Sequence, residues 1–337
     1  MRARNAARGF SLIELMVAIA IGLLLMLVMT RLMAQQDSAR AEIEKAGRQI
    51  EDGRYAVNLL HEDVQLAGYY GQIGAIATVP AALPNPCETG STAAGLLAIG
   101  EALALPIQGY DSPTTLPAGL ADCIEDEDHL DGTDVLVVRR TDAEADGVVP
   151  ATTVDDRVYV QTTPIERIVG LGGSTAAATF TLLRKDASSP AELRRYVQRI
   201  YFVSPCHVPA SGSTSCNADA DGGRPIPTLK RVDFSEAGFT ITPLVEGVEN
   251  LQVEYGLDGN EDGAPDRYET APDLAEWPHV VAVRVGLLSR AIQPSAGHVD
   301  DRSYVLGSTT IDGSGDAYKR QAYVVAIRAV NPSGRRE

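Results

Sequence analysis

Residues 10–30 read FSLIELMVAIAIGLLLMLVMT, and what this run is decides the fold. Glu14 is its only charge, Arg31 closes it, and Arg2, Arg4 and Arg8 precede it without an acid among them. About twenty apolar residues span a bilayer as helix, so the length suits a membrane segment. The arginines ahead of it predict a cytoplasmic N-terminus and an exported remainder. A secretory signal peptide would place small residues just past the apolar run, whereas this one ends in MTRLMAQQ (29–36). A plain anchor accounts for everything except Glu14. A carboxylate inside hydrocarbon costs roughly 3 kcal/mol, so an acid kept there marks a function.

Outward from Arg31 the pattern stays helical but turns polar. Ile43, Ile50, Val57 and Val64 recur every seven residues, and Ala46, Gly53, Leu60 and Ala67 follow each by three. This spacing predicts one apolar stripe on a helix from residue 11 to 66, stopped at Gly68. At 1.5 Å per residue such a helix is roughly 85 Å long. The small residues in the second series favour packing against the chain's own sheet over a coiled coil. The expected divisions are a leader at 1–9, a membrane and assembly segment at 10–30, an amphipathic helical part at 31–70 and a globular head at 71–337.

In the head, turn-rich stretches separate short β-prone runs. Strands are expected at 135–139, 158–161, 179–184, 196–203, 228–234, 239–242, 250–256, 279–288 and 321–330. In the last two, Val281, Val283, Val285 and Leu287 face away from Arg284, and Tyr323, Val325 and Ile327 face away from Arg328. That alternation describes half-buried antiparallel strands. The expected class is α+β, a long N-terminal helix packed on an antiparallel sheet with large loop insertions. Segments 81–130, 142–156 and 204–227 read as excursions from the sheet, and the acidic run 125–128 as a solvated loop.

The formal charge of −16 argues against nucleic acid as a partner of the bulk surface. Four cysteines on an exported domain fit two disulfides. Three pairings are open; Cys87 with Cys123 and Cys206 with Cys216 closes the shorter loops. The five histidines fall in no metal-binding or HExxH spacing, and GxSxG, GxGxxG and P-loop patterns are absent, so an enzyme is not expected.

Residues 258–269, DGNEDGAPDRYE, satisfy the pattern of a calcium loop. The expected oxygens come from Asp258, Asn260, Asp262, the Ala264 carbonyl, Asp266 and Glu269, with Gly263 permitting the turn. The preceding segment reads as a strand rather than a helix, and Pro265 stands where an apolar residue would pair loops. The expectation is an isolated, structural Ca²⁺ loop, with a solvated acidic turn as the competing reading. NADADGG (217–223) begins in a similar way but lacks a later acid.

The segment GFSLIELMVAIAIG (9–22) closely resembles the class III signal of type IV pilins and type II secretion pseudopilins. The resemblance implies cleavage by prepilin peptidase between Gly9 and Phe10 and N-methylation of Phe10. It also implies that Glu14 meets the terminal amine of a neighbouring subunit inside a fibre. RYAVNLLHEDVQLAGYYG (54–71), DGTDVLVVRR (131–140), PTLKRVDF (227–234) and VEGVENLQVEYGLD (245–258) resemble the PilW family of minor pilins. Implied partners are other minor pilins, the major pilin and the inner-membrane assembly platform. Implied location is the inner membrane, single-pass with a periplasmic head, and then the pilus. The implied role is initiating pilus assembly at or near the tip, for twitching motility. A J-type pseudopilin shares this plan, and a calcium-dependent adhesion module at a fibre tip is a third reading.

Overall fold

The computed structural model of the chain describes residues 11–336 apart from 75, 77, 78, 146, 149–156, 174, 175, 236 and 237. Helix α1 runs Leu12–Leu66. A capping box sets its start. Ser11 Oγ accepts the N–H of Glu14 at 3.3 Å, and the Glu14 carboxylate accepts the N–H of Ser11 at 3.0 Å. Two donors without helical partners are thereby satisfied. Gly68, with φ at +73°, turns the chain out of the helix. The side-chain amide of Asn331 donates to the Leu66 and Ala67 carbonyls at the helix end.

The chain divides into two compact units, Met1–Arg48 and Gln49–Glu337. In the first, every described side chain from residue 11 to 41 is exposed, including the whole apolar run. The second is the head, built of antiparallel strands. Its larger sheet comprises β1 (Ile107–Tyr110), β2 (Val135–Thr141), β3 (Gly147–Val148), β4 (Val158–Thr162), β5 (Arg167–Leu171), β6 (Glu192–Ser204), β7 (Thr228–Ser235) and β8 (Gly238–Glu246). The 13-residue β6 is its hub, pairing β2 and β7 along its second half and β3 and β4 along its first. The smaller sheet follows the order β10-β9-β11-β14, from β9 (Val248–Leu257), β10 (Arg267–Glu269), β11 (Val280–Arg290) and β14 (Arg320–Arg328). β12 (Ser303–Leu306) and β13 (Thr309–Asp312) form a separate two-stranded hairpin.

One core cluster joins the second half of α1 to both sheets. Ala56, Leu60 and Val64 meet Val138 and Tyr201 of the larger sheet and Val253 and Val285 of the smaller. The expected stripe is rotated. The buried helix positions are Gln49, Gly53, Ala56, Leu60, Asp63 and Val64, while Ile43 is 71% exposed and Ile50 47%. The helix seats on its small side chains because they let strands come close. At Gly53 an added Cβ would lie 2.3 Å from the Tyr323 ring. Gln49, a polar residue on that face, donates to the carbonyls of Ser289 and Lys319, both at 3.0 Å.

The opposite face of the larger sheet is covered by the loop between β1 and β2. Leu116, Leu120 and Ile124 of that loop pack on Val135, Val137, Ile200 and Phe202. This is why β2 is buried at all seven positions. Strand β11 is also buried on both faces apart from its arginines, since Leu288 packs with Tyr304 and Leu306 of the hairpin. The two sheets are tied at Asp134. Its carboxylate accepts the Ser112 N–H at 2.8 Å and the Val253 N–H at 2.6 Å, and its own N–H donates to the Leu251 carbonyl. Burial, with Asp111 adding to it, pushes the Asp134 carboxyl up to about 6.

Several sequence expectations are corrected. Residues 179–184 do not form a strand; Leu183 makes an isolated bridge to Pro190. The excursion 81–130 contains β1 and a second helix, α2 (Ala93–Ala102), whose Thr92 hydroxyl caps Gly95. The acidic run 125–128 is partly built in. Asp126 accepts the Leu116 N–H and buried Asp128 accepts the Cys216 N–H, each at 2.8 Å.

Candidate functional site

Two features of α1 make up the site: its exposed apolar start and its buried seat in the head. From Leu12 to Met33 the large apolar side chains all face outward, and the most apolar 18-residue window has a mean hydropathy of 2.8 with none of it buried. That much exposed hydrocarbon is tolerated only in lipid or against other subunits. Glu14 lies in this surface. Its carboxylate holds the Ser11 N–H, so in a single chain it serves as a cap. Both cap and intersubunit partner are compatible with one carboxylate, which carries several lone-pair sites. The processing pair Gly9 and Phe10 lies outside the described residues.

The seat is organised around Asp63, a residue the sequence did not single out. It is 2% exposed, on the face of α1 that enters the head. Arg199 Nη1 reaches its two oxygens at 2.6 and 2.7 Å, and Arg140 Nη2 reaches one at 3.3 Å. The Tyr201 hydroxyl donates to it as well. Burial, then the Asp63 charge, pushes the Tyr201 phenol up, so it remains a donor. Strands β2 and β6 thus present two cations and a hydroxyl to one helix position. A carboxylate neutralised this completely fixes the register of helix on sheet, since a shift of one turn would bury unpaired charge.

The disulfides join Cys87 to Cys123 and Cys206 to Cys216. The first holds the loop that covers β2 and β6; Cys87 belongs to that buried cluster. The second staples the loop after β6. Asp128 links the two loops through its bond to Cys216.

The 258–269 loop folds into a tight acid-lined turn. The Asp258 carboxylate, fully buried, accepts N–H groups of Glu261, Asp262 and Gly263 at 2.7, 3.3 and 3.0 Å. Arg336 stands 3.7 Å from it. Asp266 accepts the N–H groups of Gly259 and Asn260, and Asp262 that of Ala264. Asn260 lies between Asp262 and Asp266 and donates to both. Glu269 does not join them. It lies in β10 opposite Tyr255, and its carboxylate is held by Arg267 at 2.7 Å. Of the six donors read from the sequence, Glu269 is held by Arg267 here, and Asp258 accepts main-chain donors. Among the described residues no group of three His, Cys, Asp or Glu side chains is placed as a metal site. In the 217–223 segment, Asp221 likewise accepts the N–H groups of His207, Val208 and Ile226.

An exposed apolar helix with an acid in its first turn, continuing into an antiparallel head that seats it, defines a pilin-like protein. The comparisons agree and go further. Residues 4–30 match the prokaryotic N-terminal methylation motif, and residues 215–331 match the family of the type IV pilus-assembly protein W. The chain thus carries a prepilin-type methylation motif at its N-terminus and a PilW-type region in its C-terminal part. Its family match covers β7 through β14, the smaller sheet included. A type IV-like pilin from Thermus thermophilus aligns with 85% of this chain and 97% of its own, at 12% identity and a TM-score of 0.37. No curated protein matches the chain.

Proposed function

We propose that this chain is a minor pilin that helps initiate type IV pilus assembly, at or near the tip of the fibre, in support of pilus biogenesis and twitching motility. Prepilin peptidase cuts it between Gly9 and Phe10, and Phe10 is then methylated. The mature chain waits in the inner membrane with its head in the periplasm. Two disulfides among the described residues support an oxidising compartment for that head. Its partners are the major pilin, other minor pilins and the inner-membrane assembly platform. The role is structural, and Glu14 acts as a docking group.

The observation that carries this reading is the apolar face of α1 from Leu12 to Met33, left open in the single chain with Glu14 inside it. An ion pair with a neighbour's terminal amine supplies register there, because only one axial stagger neutralises both charges. Insertions around the head, such as the stapled loop over β2, make it bulky for a repeated lattice position, which supports a place at the tip. Deleting the gene and scoring surface pili, twitching and protein secretion together tests the reading. Loss of pili and twitching with secretion intact is expected. Loss of secretion with normal pili would make the chain a J-type pseudopilin instead.

A further inference from the structure

A half-enclosed cavity of about 480 Å³ lies in the head beside the C-terminal end of α1. Ile76, Leu103 and three prolines give it apolar walls, and Arg335, Arg336, His279 and Glu261 border it. This is the size and mixed lining of a small-molecule site.

The two arginines are in different states. Arg336 is accounted for: it donates to the Asp258 and Pro278 carbonyls at 3.4 and 3.0 Å and stands 3.7 Å from the Asp258 carboxylate. Arg335 has no carboxylate within ion-pair reach among the described residues. Its guanidinium donates to the Gly68 carbonyl and lies 5.8 Å from the centre of the Tyr70 ring. Burial lowers its pKa. A guanidinium drawn partly out of water and given only a neutral carbonyl is short of an anion. Glu261 borders the same space, but forms no ion pair with either arginine. One cation without a carboxylate partner among the described residues, standing beside an acid, suits a monoanion and disfavours a doubly charged phosphate. The planar fork of arginine matches a carboxylate.

We propose that this cavity binds a small carboxylate with an apolar body, its charge on Arg335 and its body against Ile76, Leu103 and the prolines. Neither the assembly role nor the family description includes such a site.

Full-length protein in a neutral detergent, titrated with trifluoromethyl-phenylacetate and followed by fluorine NMR, tests it. Empty micelles and the uncharged amide of the same compound serve as references. Saturable binding with Kd below about 1 mM is expected, at least about tenfold tighter than the amide. Arg335→Gln should weaken it at least about tenfold, Arg335→Lys should restore part of the loss, and Ile76→Trp should remove binding by filling the space. Absence of saturable binding above the micelle background, equal affinity for acid and amide, or unchanged affinity in Arg335→Gln would each overturn the proposal. Should Arg335→Gln fail to fold, the acid-against-amide comparison on the natural sequence decides alone.

Discussion

Asp63 shows how one side chain can set the relation of a helix to a sheet. Its carboxylate is held by Arg199, Arg140 and Tyr201. Asp63→Ala should cost the head about 3 kcal/mol, because two guanidinium groups then lose their shared anion. Urea unfolding followed by tyrosine and tryptophan fluorescence measures this. Asp134 adds a pH dependence of opposite sign to that of the paired acids. Its folded pKa near 6 exceeds the ordinary value of 3.8, so the folded state binds its proton more tightly. The stability it contributes is complete below pH 3.8 and is lost as pH rises through 6. The margin of the natural protein over Asp134→Asn should therefore shrink by about 2 kcal/mol between pH 4 and pH 7, read from unfolding midpoints at each pH. Neither residue was legible in the sequence. A buried acid and a solvated one look alike until distant strands supply partners, and Arg140 and Arg199 are far from Asp63 in the chain. The surroundings of Glu269 were hidden for the converse reason. The loop pattern counts positions along the chain, while pairing with β9 and Arg267 carries that side chain elsewhere.

At the scale of elements, α1 was legible almost to its ends, because its signals are local: the apolar run and periodicity along it, and Gly68 at the stop. Its buried face was not, since the side chains that seat it are small or polar and the larger Ile43 and Ile50 face outward. Gly53→Leu should destabilise the head by about 2 kcal/mol by pushing Tyr323 off the helix, while leaving α1 helical by circular dichroism. Strands with clear alternation, such as β11 and β14, were placed well. Residues 179–184 have strand composition, but among the described residues they form a single isolated bridge, Leu183 with Pro190, so composition alone misplaced a strand. The short edge strand β5 was missed; its five residues carry little periodicity. The cysteine loops predict different losses on reduction. Closing the 36-residue separation of Cys87 and Cys123 is worth about 4 kcal/mol by loop entropy, and the 10-residue one of Cys206 and Cys216 about 3. Cys87→Ser/Cys123→Ser should accordingly lower the unfolding midpoint more than Cys206→Ser/Cys216→Ser.

For the whole molecule, a well-packed head carries a helix whose first half satisfies its backbone but not its side chains. The large apolar side chains from Leu12 to Met33 are exposed, and among the described residues Glu14 does no more than cap. A surface of that kind suits lipid or other subunits, and residues 4–30 within and before it match the prokaryotic N-terminal methylation motif. Cap and dock can be separated by chemistry. Glu14→Gln keeps the carbonyl that accepts the Ser11 N–H, and so keeps the helix start, but removes the charge. The decisive measurement is the amount of this protein in sheared pili relative to the membrane fraction, for the natural chain and for Glu14→Gln expressed to the same level. A variant that is processed and held in the membrane yet falls at least about tenfold in the fibre is expected; a variant recovered in pili at the natural ratio would contradict the assignment of Glu14 as the group that docks one subunit on the next.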